Sequence, residues 1–495
     1  MTEHEQSTTV GQRPNITTGD SRLPALFTRL VWLLWVASLG TLALRLVTGW
    51  TWELSGLVVV DGLTVTMWAT VTFFSGIVHS YSRRYMAGSQ RVDRFFARVF
   101  AFTLVVMVLV AADSLALFAA AWLAMGLLMA ALIGHVRGWP QARTAATLAR
   151  RYFLASSASL AVALATLWWV TGATTVSGIA AAVGTVESLP LIFAAGALLV
   201  AAMVQSALVP FQAWLLSSMT APTPASALMH AGFVNAGGIL LLRFGPVVSV
   251  EPGVMLLIVV VGATSALLGK VLKSVQTDVK RQLGCSTVGQ MGFMIMQAGL
   301  GFFGAAITHL VLHGFYKAYQ FLSSGGEIDH RGPADAKTGE STGVAGLAAV
   351  VVTALAGGVV FAALTGKGTA LDSGLLLTLL VVLTTLHAAR ETVRHTSLPA
   401  TLRFGAVPLV FLPAIAVYAG VYTVVESLLV GLPAVGDPAE LIVVHGVVAV
   451  AFVAAYLAIE SGVYRRSTRL YAALVNATQP PTGTLLTPTE EYNDY

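Results

Sequence analysis

One apolar stretch, from Gly304 to Ser324, constrains the fold of this chain more than any other. It reads GAAITHLVLHGFYKAYQFLSS, which is long enough to cross a bilayer as a helix, yet it contains His309, His313 and Lys317. Their i, i+4, i+8 spacing places all three on one face of a helix. Ionisable side chains at membrane depth are costly and face a bundle interior or water. The stretch therefore predicts a membrane-spanning helix with a polar column along one face.

Three interpretations of this column are open. Imidazole takes and releases protons near neutral pH, so the spacing favours a proton path. The second interpretation is a set of hydrogen-bonded packing residues. The third is a metal site built on the His-x3-His spacing of His309 and His313, although Lys317 on the same face would repel a cation. We predict the proton path.

The composition places the chain in a membrane. Of its 495 residues, 56% are hydrophobic and only 10% are charged, whereas roughly 25% are charged in soluble domains. The net charge of +5 comes from Lys and Arg in short loops between apolar runs, where they set orientation in a bilayer and do not indicate nucleic-acid binding. The single cysteine, Cys285, permits neither an intrachain disulfide nor a cysteine zinc cluster.

The apolar runs predict an all-α polytopic membrane protein with about fourteen transmembrane helices. The predicted spans are residues 26–48, 61–82, 97–113, 115–136, 150–172, 189–216, 222–244, 252–272, 283–300, 304–324, 342–365, 371–389, 402–430 and 438–464. With this count, the basic loops all fall on one side: residues 83–98, 137–151, 270–281, 330–337, 390–403 and 465–469. The excess of Lys and Arg predicts that this side is cytoplasmic.

The same topology places both termini in the cytoplasm and predicts a multi-pass protein of the plasma (inner) membrane. We predict a cytoplasmic N-terminal tail at 1–25, a transmembrane domain at 26–466 and a cytoplasmic C-terminal tail at 467–495. The end of the C-terminal tail is rich in Thr and Pro. Two interpretations of it are open: a disordered tail, and an extended strap against a cytoplasmic partner.

The sixth span contains a proline that a continuous helix does not accommodate. Pro210 lacks a backbone N–H and predicts a break inside the membrane, which bundles tolerate where the break lines a cavity or is covered by neighbours. Transporters use such broken helices around ion sites. The next span begins near Pro222 and buries His230, either as a hydrogen-bonded core residue or as a member of the polar axis.

Other polar positions near the span ends have simpler interpretations. Asp61 is favoured as the N-cap of the second span over a direct proton role. His79, at the other end of that span, is predicted to lie at the membrane interface. Lys280 is either a cytoplasmic anchor or a pathway residue. Lys270 and Lys273 are predicted to extend their amines out of the membrane at an inner helix end.

Several motifs in a fixed order resemble the antiporter-like subunits of respiratory complex I and Mrp antiporters, the NuoL/Mrp superfamily. They are DGLTVTM with HSYSRRYM, VPFQAWLLSSMTAPTPASALMHAG, QTDVKRQLGCSTVGQMGFM and HLVLHGFYKAYQFLSSG, between residues 61 and 325. Four sequence segments are most similar to one branch of this superfamily: ASALMHAGFVNAGG, QMGFMIMQAGLGFFGAA, FYKAYQFLSSG and the tail NATQPPTGTLLTP. That branch is the DabB family, the membrane subunit of a two-component inorganic-carbon accumulation complex. The resemblance implies an antiporter-like fold.

The resemblance also implies roles for individual positions. His230 matches the histidine after the broken span, Lys280 matches the lysine of a D-(I/V)-K-(R/K) motif, and the column matches an H-x3-H-x3-K helix. In such subunits these positions belong to a hydrated axis that passes protons. Two positions depart from the respiratory pattern: Leu123 follows Trp122 in place of a buried glutamate, and Gln205 replaces a lysine. The second half also lacks the Pro-rich broken helix and its lysine.

The residues and the resemblance together predict a membrane subunit that conducts a cation, H⁺, and belongs to an energy-coupled inorganic-carbon (CO₂/bicarbonate) accumulation complex. The predicted pathway residues are His309, His313, Lys317, His230, Lys280, Gln205 and Asp61. The implied partner is a large cytoplasmic DabA-type protein resembling a zinc β-carbonic anhydrase, so we expect zinc and CO₂ hydration there. In this chain we expect no cofactor and no catalytic group.

Two alternative functions remain. The first is an antiporter-like subunit of a respiratory NADH-quinone oxidoreductase or an Mrp Na⁺/H⁺ antiporter, which should keep the charges that Leu123 and Gln205 replace. The second is a non-conducting membrane anchor for a soluble partner. An anchor would leave the buried column without a function, in spite of its burial cost.

Overall fold

The computed structural model describes residues 22–324, 344–395, 400–432 and 439–479, which form a bundle of helices. In chain order the elements are α1 (Leu23–Thr48), β1 (Trp52–Leu54), β2 (Val58–Val60), α2 (Gly62–Tyr85), α3 (Val92–Ala111), α4 (Leu115–Ile133), α5 (Pro140–Thr171), α6 (Val176–Ala182), α7 (Ser188–Gln205), α8 (Ala213–Ser217), α9 (Thr223–Ala231), α10 (Ala236–Arg243), α11 (Gly245–Val248), α12 (Pro252–Lys273), α13 (Val279–Gly299), α14 (Phe303–Ser323), α15 (Val344–Thr365), α16 (Gly374–His395), α17 (Ala400–Leu429), α18 (Val443–Glu460), α19 (Val463–Arg466) and α20 (Thr468–Ala477). The predicted all-α polytopic class is confirmed.

Within the described residues, twelve helical segments are long and apolar enough to cross a membrane, with α9 and α10 counted as one segment. The helices α13 and α14 have 21 residues each, which is a spanning length, but their polar side chains lower their hydropathy. With these two, every predicted span corresponds to a helix. The largest difference is α5, which begins at Pro140 and not near 150, because proline suits the first turn of a helix.

The boundary between α3 and α4 is short but well defined. Ser114 is the N-cap of α4, and its side chain accepts a hydrogen bond from the Leu117 N–H. The neighbouring Asp113 accepts from both the N–H and the hydroxyl of Ser177 on α6, at 2.8 and 2.7 Å. Two polar residues thus end one span and begin the next.

A small hairpin between α1 and α2 was not predicted. The strands β1 and β2 pair antiparallel, with Trp52 opposite Val60, and they turn at Gly56, which has a φ of 74°. Strands of three residues are too short to show an alternating pattern in the sequence. The hairpin leads directly into Asp61, the N-cap of α2.

The direction of each helix defines two faces of the bundle. The Tyr85 hydroxyl at the end of α2 lies 3.2 Å from the Thr223 hydroxyl at the start of α9. We call the face that holds these two ends the basic face, because Arg83 and Arg84 lie there. It is the face predicted to be cytoplasmic, and the start of α13 and the end of α14 lie on it too.

Helices α12 and α13 approach each other more closely than side chains would allow. A Cβ atom at Gly292 would lie 2.4 Å from the backbone N of Ala266 and 2.6 Å from the carbonyl O of Gly262. A Cβ at Gly269 would lie 2.3 Å from the backbone N of Gly289. Small residues allow this backbone contact, which is a common basis of helix packing in membranes. The contact fixes α13 relative to α12.

In the part of the chain that the structure describes, the helices of the second half have no break of the kind seen at Pro210, as the absence of a Pro-rich broken-helix motif predicted. Helix α15 runs unbroken through Gly357 and Gly358, which pack against Ile415 and Val382. Helix α17 continues through two internal prolines, Pro408 and Pro413.

Part of the C-terminal tail is a helix and not an extended strand. Helix α20 packs near the basic ends of α12 and α13, where Leu474 contacts the cluster of Leu216, Leu272 and Cys285. The Gln276 side chain donates to the Thr478 hydroxyl at 2.8 Å. The predicted N-terminal tail through residue 21, and the C-terminal residues from 480 onward, lie outside the described residues.

We predict that Gly292→Leu destabilises the bundle, because the atoms that its side chain would meet belong to the backbone of α12 and cannot move aside. The midpoint of thermal unfolding of the detergent-solubilised full chain should fall by several degrees, with less protein inserted in the membrane. Gly196→Leu is the matched control, because a Cβ there meets nothing within 4 Å. Equal midpoints for the two variants would contradict the packing role.

Candidate functional site

The column on α14 is buried, as its spacing predicted. Lys317 is 0% exposed, and His309 and His313 are also buried, whereas the neighbouring Tyr319 is 73% exposed. The helix thus turns its ionisable residues toward the protein and an aromatic residue outward. This is the reverse of a soluble amphipathic helix, and it is the arrangement expected for polar groups in a membrane bundle.

A glycine on α14 brings the column against its neighbours. A Cβ at Gly314 would lie 2.4 Å from Cε2 of Phe74 on α2 and 2.9 Å from the carbonyl O of Ala231 on α9. Only glycine permits this approach. As a result, α14 lies directly against the end of α9 that carries His230.

A hydrogen-bonded link joins His230 to Lys317 through α13. Nζ of Lys317 donates to the carbonyl O of Leu283 at 3.1 Å. The Thr287 hydroxyl donates to the same carbonyl at 2.9 Å, and its oxygen lies 2.9 Å from Nδ1 of His230. One carbonyl and one hydroxyl therefore hold the lysine and the histidine in register. Thr287 was not singled out from the sequence.

The link determines the tautomer of His230. The Thr287 hydroxyl has one proton, which it directs at Leu283, so its oxygen accepts the proton of Nδ1. Nε2 of His230 is then an acceptor, and it has no partner among the described residues. Nε2 of His313 also has no partner among the described residues. Buried polar atoms of this kind are normally paired with ordered water.

The outer part of the column is lined by aromatic rings. The rings of His309 and His313 are 5.8 Å apart between centroids, and the Phe293 ring lies 5.3 Å from that of His309. Nearer the basic face, the ring of His230 stacks on Phe321 at 4.3 Å. The two histidines of α14 are separated by more than a hydrogen bond, so a proton passing between them needs a bridging water.

The predicted break at Pro210 is confirmed. Helix α7 ends at Gln205 and α8 begins at Ala213, with Ala207 at a φ of 53° between them. The Trp214 indole donates to the Val204 carbonyl at 2.9 Å, so a carbonyl near the break keeps a partner inside the membrane.

A second break was not predicted. Helix α9 ends at Ala231, one residue after His230, and a 3₁₀ turn precedes α10. The Asn235 side chain donates to the Ala231 carbonyl at 2.7 Å. The Ser206 hydroxyl, in the first break, donates to the Val234 carbonyl at 2.6 Å, which joins the two breaks. Gly232, directly after the histidine motif, was the available signal, but a single glycine is tolerated in many helices.

Two other predicted pathway residues make no direct hydrogen bond to the column within the described residues. Gln205 is completely buried at the end of α7, and neither side-chain polar atom has a partner in the described part of the chain. Lys280, in the first turn of α13, is half-buried and lies within electrostatic range of His230. Whether either residue takes part in conduction stays a prediction.

Asp61 is the N-cap of α2, the favoured one of its two interpretations. Its side chain accepts from the Thr64 N–H at 2.9 Å. It also forms a buried ion pair with Arg243, which donates further to the Thr64 hydroxyl at 2.8 Å and to the Val110 carbonyl. The pair lies at the face opposite the basic face and joins α2, α3 and α10. Arg243 was missed because it falls at the end of an apolar run.

His79, predicted at the membrane interface, is buried inside the bundle. It is 1% exposed, and its Nδ1 donates to the Ser75 carbonyl at 2.8 Å. The α3 ring of Phe96 covers it. Within the described ranges, no group of three or more His, Cys, Asp or Glu residues could hold a metal ion.

Two protein families match parts of the chain. The family described as NADH:quinone oxidoreductase/Mrp antiporter, TM, matches residues 112–366, and the family described as NADH-ubiquinone oxidoreductase (complex I), chain 5 N-terminus, matches residues 51–96. All the motifs that carried the resemblance lie in these two ranges, apart from the C-terminal tail. The predicted resemblance to the complex I and Mrp superfamily is confirmed.

The chain is also similar to individual proteins. The probable inorganic carbon transporter subunit DabB1 of Halothiobacillus neapolitanus is 41% identical over 280 residues, which cover 55% of this chain and 50% of that protein. NADH-quinone oxidoreductase subunit L of Mycobacterium tuberculosis is 36% identical over 275 residues, which cover 54% of this chain and 43% of that protein. The chain spans about half the length of these curated relatives.

A solved structure shows the same fold. The membrane-bound sulfane sulfur reductase, an archaeal respiratory membrane complex, contains a chain that superposes with a TM-score of 0.60 at 15% identity. The superposition covers 94% of this chain and 95% of that one, so the likeness extends over nearly the whole bundle.

We predict that Arg243→Gln destabilises the protein, because it leaves the Asp61 carboxylate buried without its partner. Breaking a buried pair costs about 3–5 kcal/mol, so the midpoint of thermal unfolding should fall clearly. The double variant Asp61→Asn/Arg243→Gln should recover much of the loss, since Asn keeps the cap. Arg83→Gln, at an exposed position, is the control. An Arg243→Gln protein as stable as this control would show that the pair contributes nothing.

Proposed function

Because the chain belongs to the NADH:quinone oxidoreductase/Mrp antiporter family, we propose that it conducts protons across the membrane along the buried histidines and lysine of α9 and α14. We further propose that it does so as the membrane subunit of an energy-coupled inorganic-carbon accumulation complex. The observation that carries the proposal is the fully buried Lys317, held through Leu283 and Thr287 beside His230.

The geometry supports conduction in a specific way. A carbonyl accepts hydrogen bonds but does not relay protons, so Leu283 positions Lys317 and does not pass its proton on. Nε2 of His230 is an acceptor, and both it and Nε2 of His313 are buried and without a protein partner among the described residues. In this proposal, water bridges these atoms to Lys317 and relays the proton between them.

The inorganic-carbon assignment rests on the motifs and on the DabB1 relative. Two residues support it further, since they remove charges that respiratory relatives use. Leu123, directly after Trp122, is at the position where the respiratory pattern has a glutamate, so an apolar side chain takes the place of a carboxylate. The Trp122 indole donates to the Ser156 hydroxyl. Gln205 is buried and uncharged. A subunit without these charges suits coupling to a partner docked directly on it.

In this proposal the partner is a large cytoplasmic zinc protein of the β-carbonic-anhydrase type, and it carries the hydration of CO₂. The basic face, with α20, is the docking side, and this chain is a transporter subunit without its own catalysis. An inward proton at 100 mV supplies about 2.3 kcal/mol, enough to bias a hydration equilibrium by tens-fold. Both termini lie on the partner side.

The alternative is an energy-transducing subunit of a respiratory or Mrp complex, which the similarity to NADH-quinone oxidoreductase subunit L favours. Leu123 and Gln205 oppose it. A non-conducting anchor is opposed by the burial of Lys317, which would serve no purpose there.

We predict that Lys317→Ala and His313→Ala reduce proton flux to background with normal membrane levels, because each opens a gap of about 5.4 Å in the relay. Lys317→Arg should fail as well, since guanidinium does not release its proton. Thr287→Val should lower flux, whereas the control Thr287→Ser keeps the hydroxyl and should be near normal. Flux is measured with a pH-sensitive dye inside proteoliposomes of the purified complex. Full flux in both alanine variants would make the column structural.

We predict that the complex purified through a tag on this chain contains one large zinc protein and no flavin or iron–sulfur subunit, measured by mass spectrometry and metal analysis. Deleting the gene should make cells require elevated CO₂, and an uncoupler should abolish the carbon uptake. Co-purification with a quinone-reducing complex, or a deletion strain that grows in air but loses sodium or pH tolerance, would favour the respiratory or Mrp alternative.

A further inference from the structure

A cavity on the basic side of the bundle lies outside the predicted path. It has a volume of about 420 Å³ and lies between α12, α13, α16 and α18. Its wall includes the polar side chains of Ser286, Gln290 and Thr384, together with apolar ones such as Ala388. A cavity of this size with polar groups holds water readily.

Three ionisable side chains from three helices meet at the mouth of this cavity. Nζ of Lys270 on α12 lies 2.7 Å from Nε2 of His387 on α16. Nδ1 of His387 lies 3.0 Å from Oε1 of Glu460 on α18. A lysine ammonium only donates, so Nε2 accepts from Lys270 and the Nδ1–H donates to Glu460. We call these residues the mouth triad.

The mouth triad connects the protein interior to the surface. The side chain of Glu460 is 8% exposed, that of His387 is 25% exposed, and that of Glu391, 3.3 Å from His387, is 59% exposed. A second cavity of about 310 Å³ continues from the triad past Arg465 to the surface. Further charges near the triad are Lys273 on α12 and Arg390 on α16, whose Nε lies 3.2 Å from Glu460.

The inner end of the 420 Å³ cavity reaches the neighbours of the column. Phe293 lines the cavity and also lies with its ring 5.3 Å from that of His309. Tyr316, the residue before Lys317, lines it as well. The ring of Phe293 thus lies between this space and His309.

We propose that this cavity is the access route by which protons reach the α14 column from the basic face, with the mouth triad as its proton-exchange group. The inference rests on the proposed proton conduction. For inward transfer, a proton on the Glu460 carboxyl passes to Nδ1 of His387, so that its O–H bond breaks and an N–H bond forms. The Nε2–H bond breaks in turn, and that proton forms an N–H bond with the neutral amine of Lys270, which restores the observed hydrogen-bond pattern and places the proton at the cavity. From the sequence alone, Lys270 and Lys273 were expected only to extend their amines out of the membrane at this helix end.

The route is tested by blocking it with a thiol reagent. The background is Cys285→Ala, which removes the one native cysteine, a buried one. Ala388→Cys places a thiol on the cavity wall. The matched control is Leu268→Cys, at a position on α12 that does not line the cavity and whose residue is 38% exposed at the surface of the bundle. The probe is a membrane-impermeant cationic methanethiosulfonate added to both sides of proteoliposomes of the purified complex, with labelling measured by mass.

We expect the Ala388→Cys thiol to be modified and proton flux to fall at least fivefold, while flux in Leu268→Cys is unchanged. Modification without loss of flux, or a thiol that reacts only after denaturation, would overturn the access route. Lys317→Ala, measured in parallel, separates the two proposals. If it abolishes flux and the modification does not, only the access route fails; if it leaves flux intact, both proposals fall.

The mouth triad is tested by His387→Gln, which keeps hydrogen bonding but cannot shuttle protons through the ring. We expect a tenfold or larger loss of flux with an unchanged midpoint of thermal unfolding. Glu460→Gln should have a similar effect. Normal flux in both stable variants would show that the cluster is a structural ion pair and not an exchange group.

Discussion

The burial of Lys317, whose amine donates to the Leu283 carbonyl, is the constraint that the packing around α14 satisfies. A lysine buried in a membrane protein needs a fixed acceptor, and a main-chain carbonyl supplies one. That carbonyl is in place only because α13 is held against α12 by glycine contacts, and α14 can approach only because Gly314 has no side chain. The requirements of one buried amine therefore extend through four helices, α9 and α12–α14.

The sequence predicted the elements whose signals are local. Fourteen spans, the break at Pro210, the cap at Asp61 and the buried face of α14 all follow from hydropathy, proline chemistry or helical spacing within a single segment. Each is a property of a few neighbouring residues, so no knowledge of distant contacts was needed.

The remainder depends on which helices meet, and a single sequence does not contain that information. Thr287, Arg243 and His387 are ordinary residues in their own segments, and each becomes important only opposite His230, Asp61 or Lys270. The burial of His79 has the same cause, because the covering ring belongs to another helix. The break after His230 was missed for a different reason: one glycine is a weak signal beside an otherwise regular helix.

The second break has an electrostatic consequence. Helix α9 stops at Ala231 inside the bundle, so its last carbonyl groups end beside the α14 column and not at a membrane surface. The aligned peptide dipoles of a helix leave the equivalent of roughly half a negative charge at its C-terminal end. A positive charge on His313 or Lys317 therefore meets a countercharge supplied by the backbone itself. Such a countercharge is independent of side-chain identity, and it offers compensation next to a helix in which Leu123, after Trp122, supplies no carboxylate.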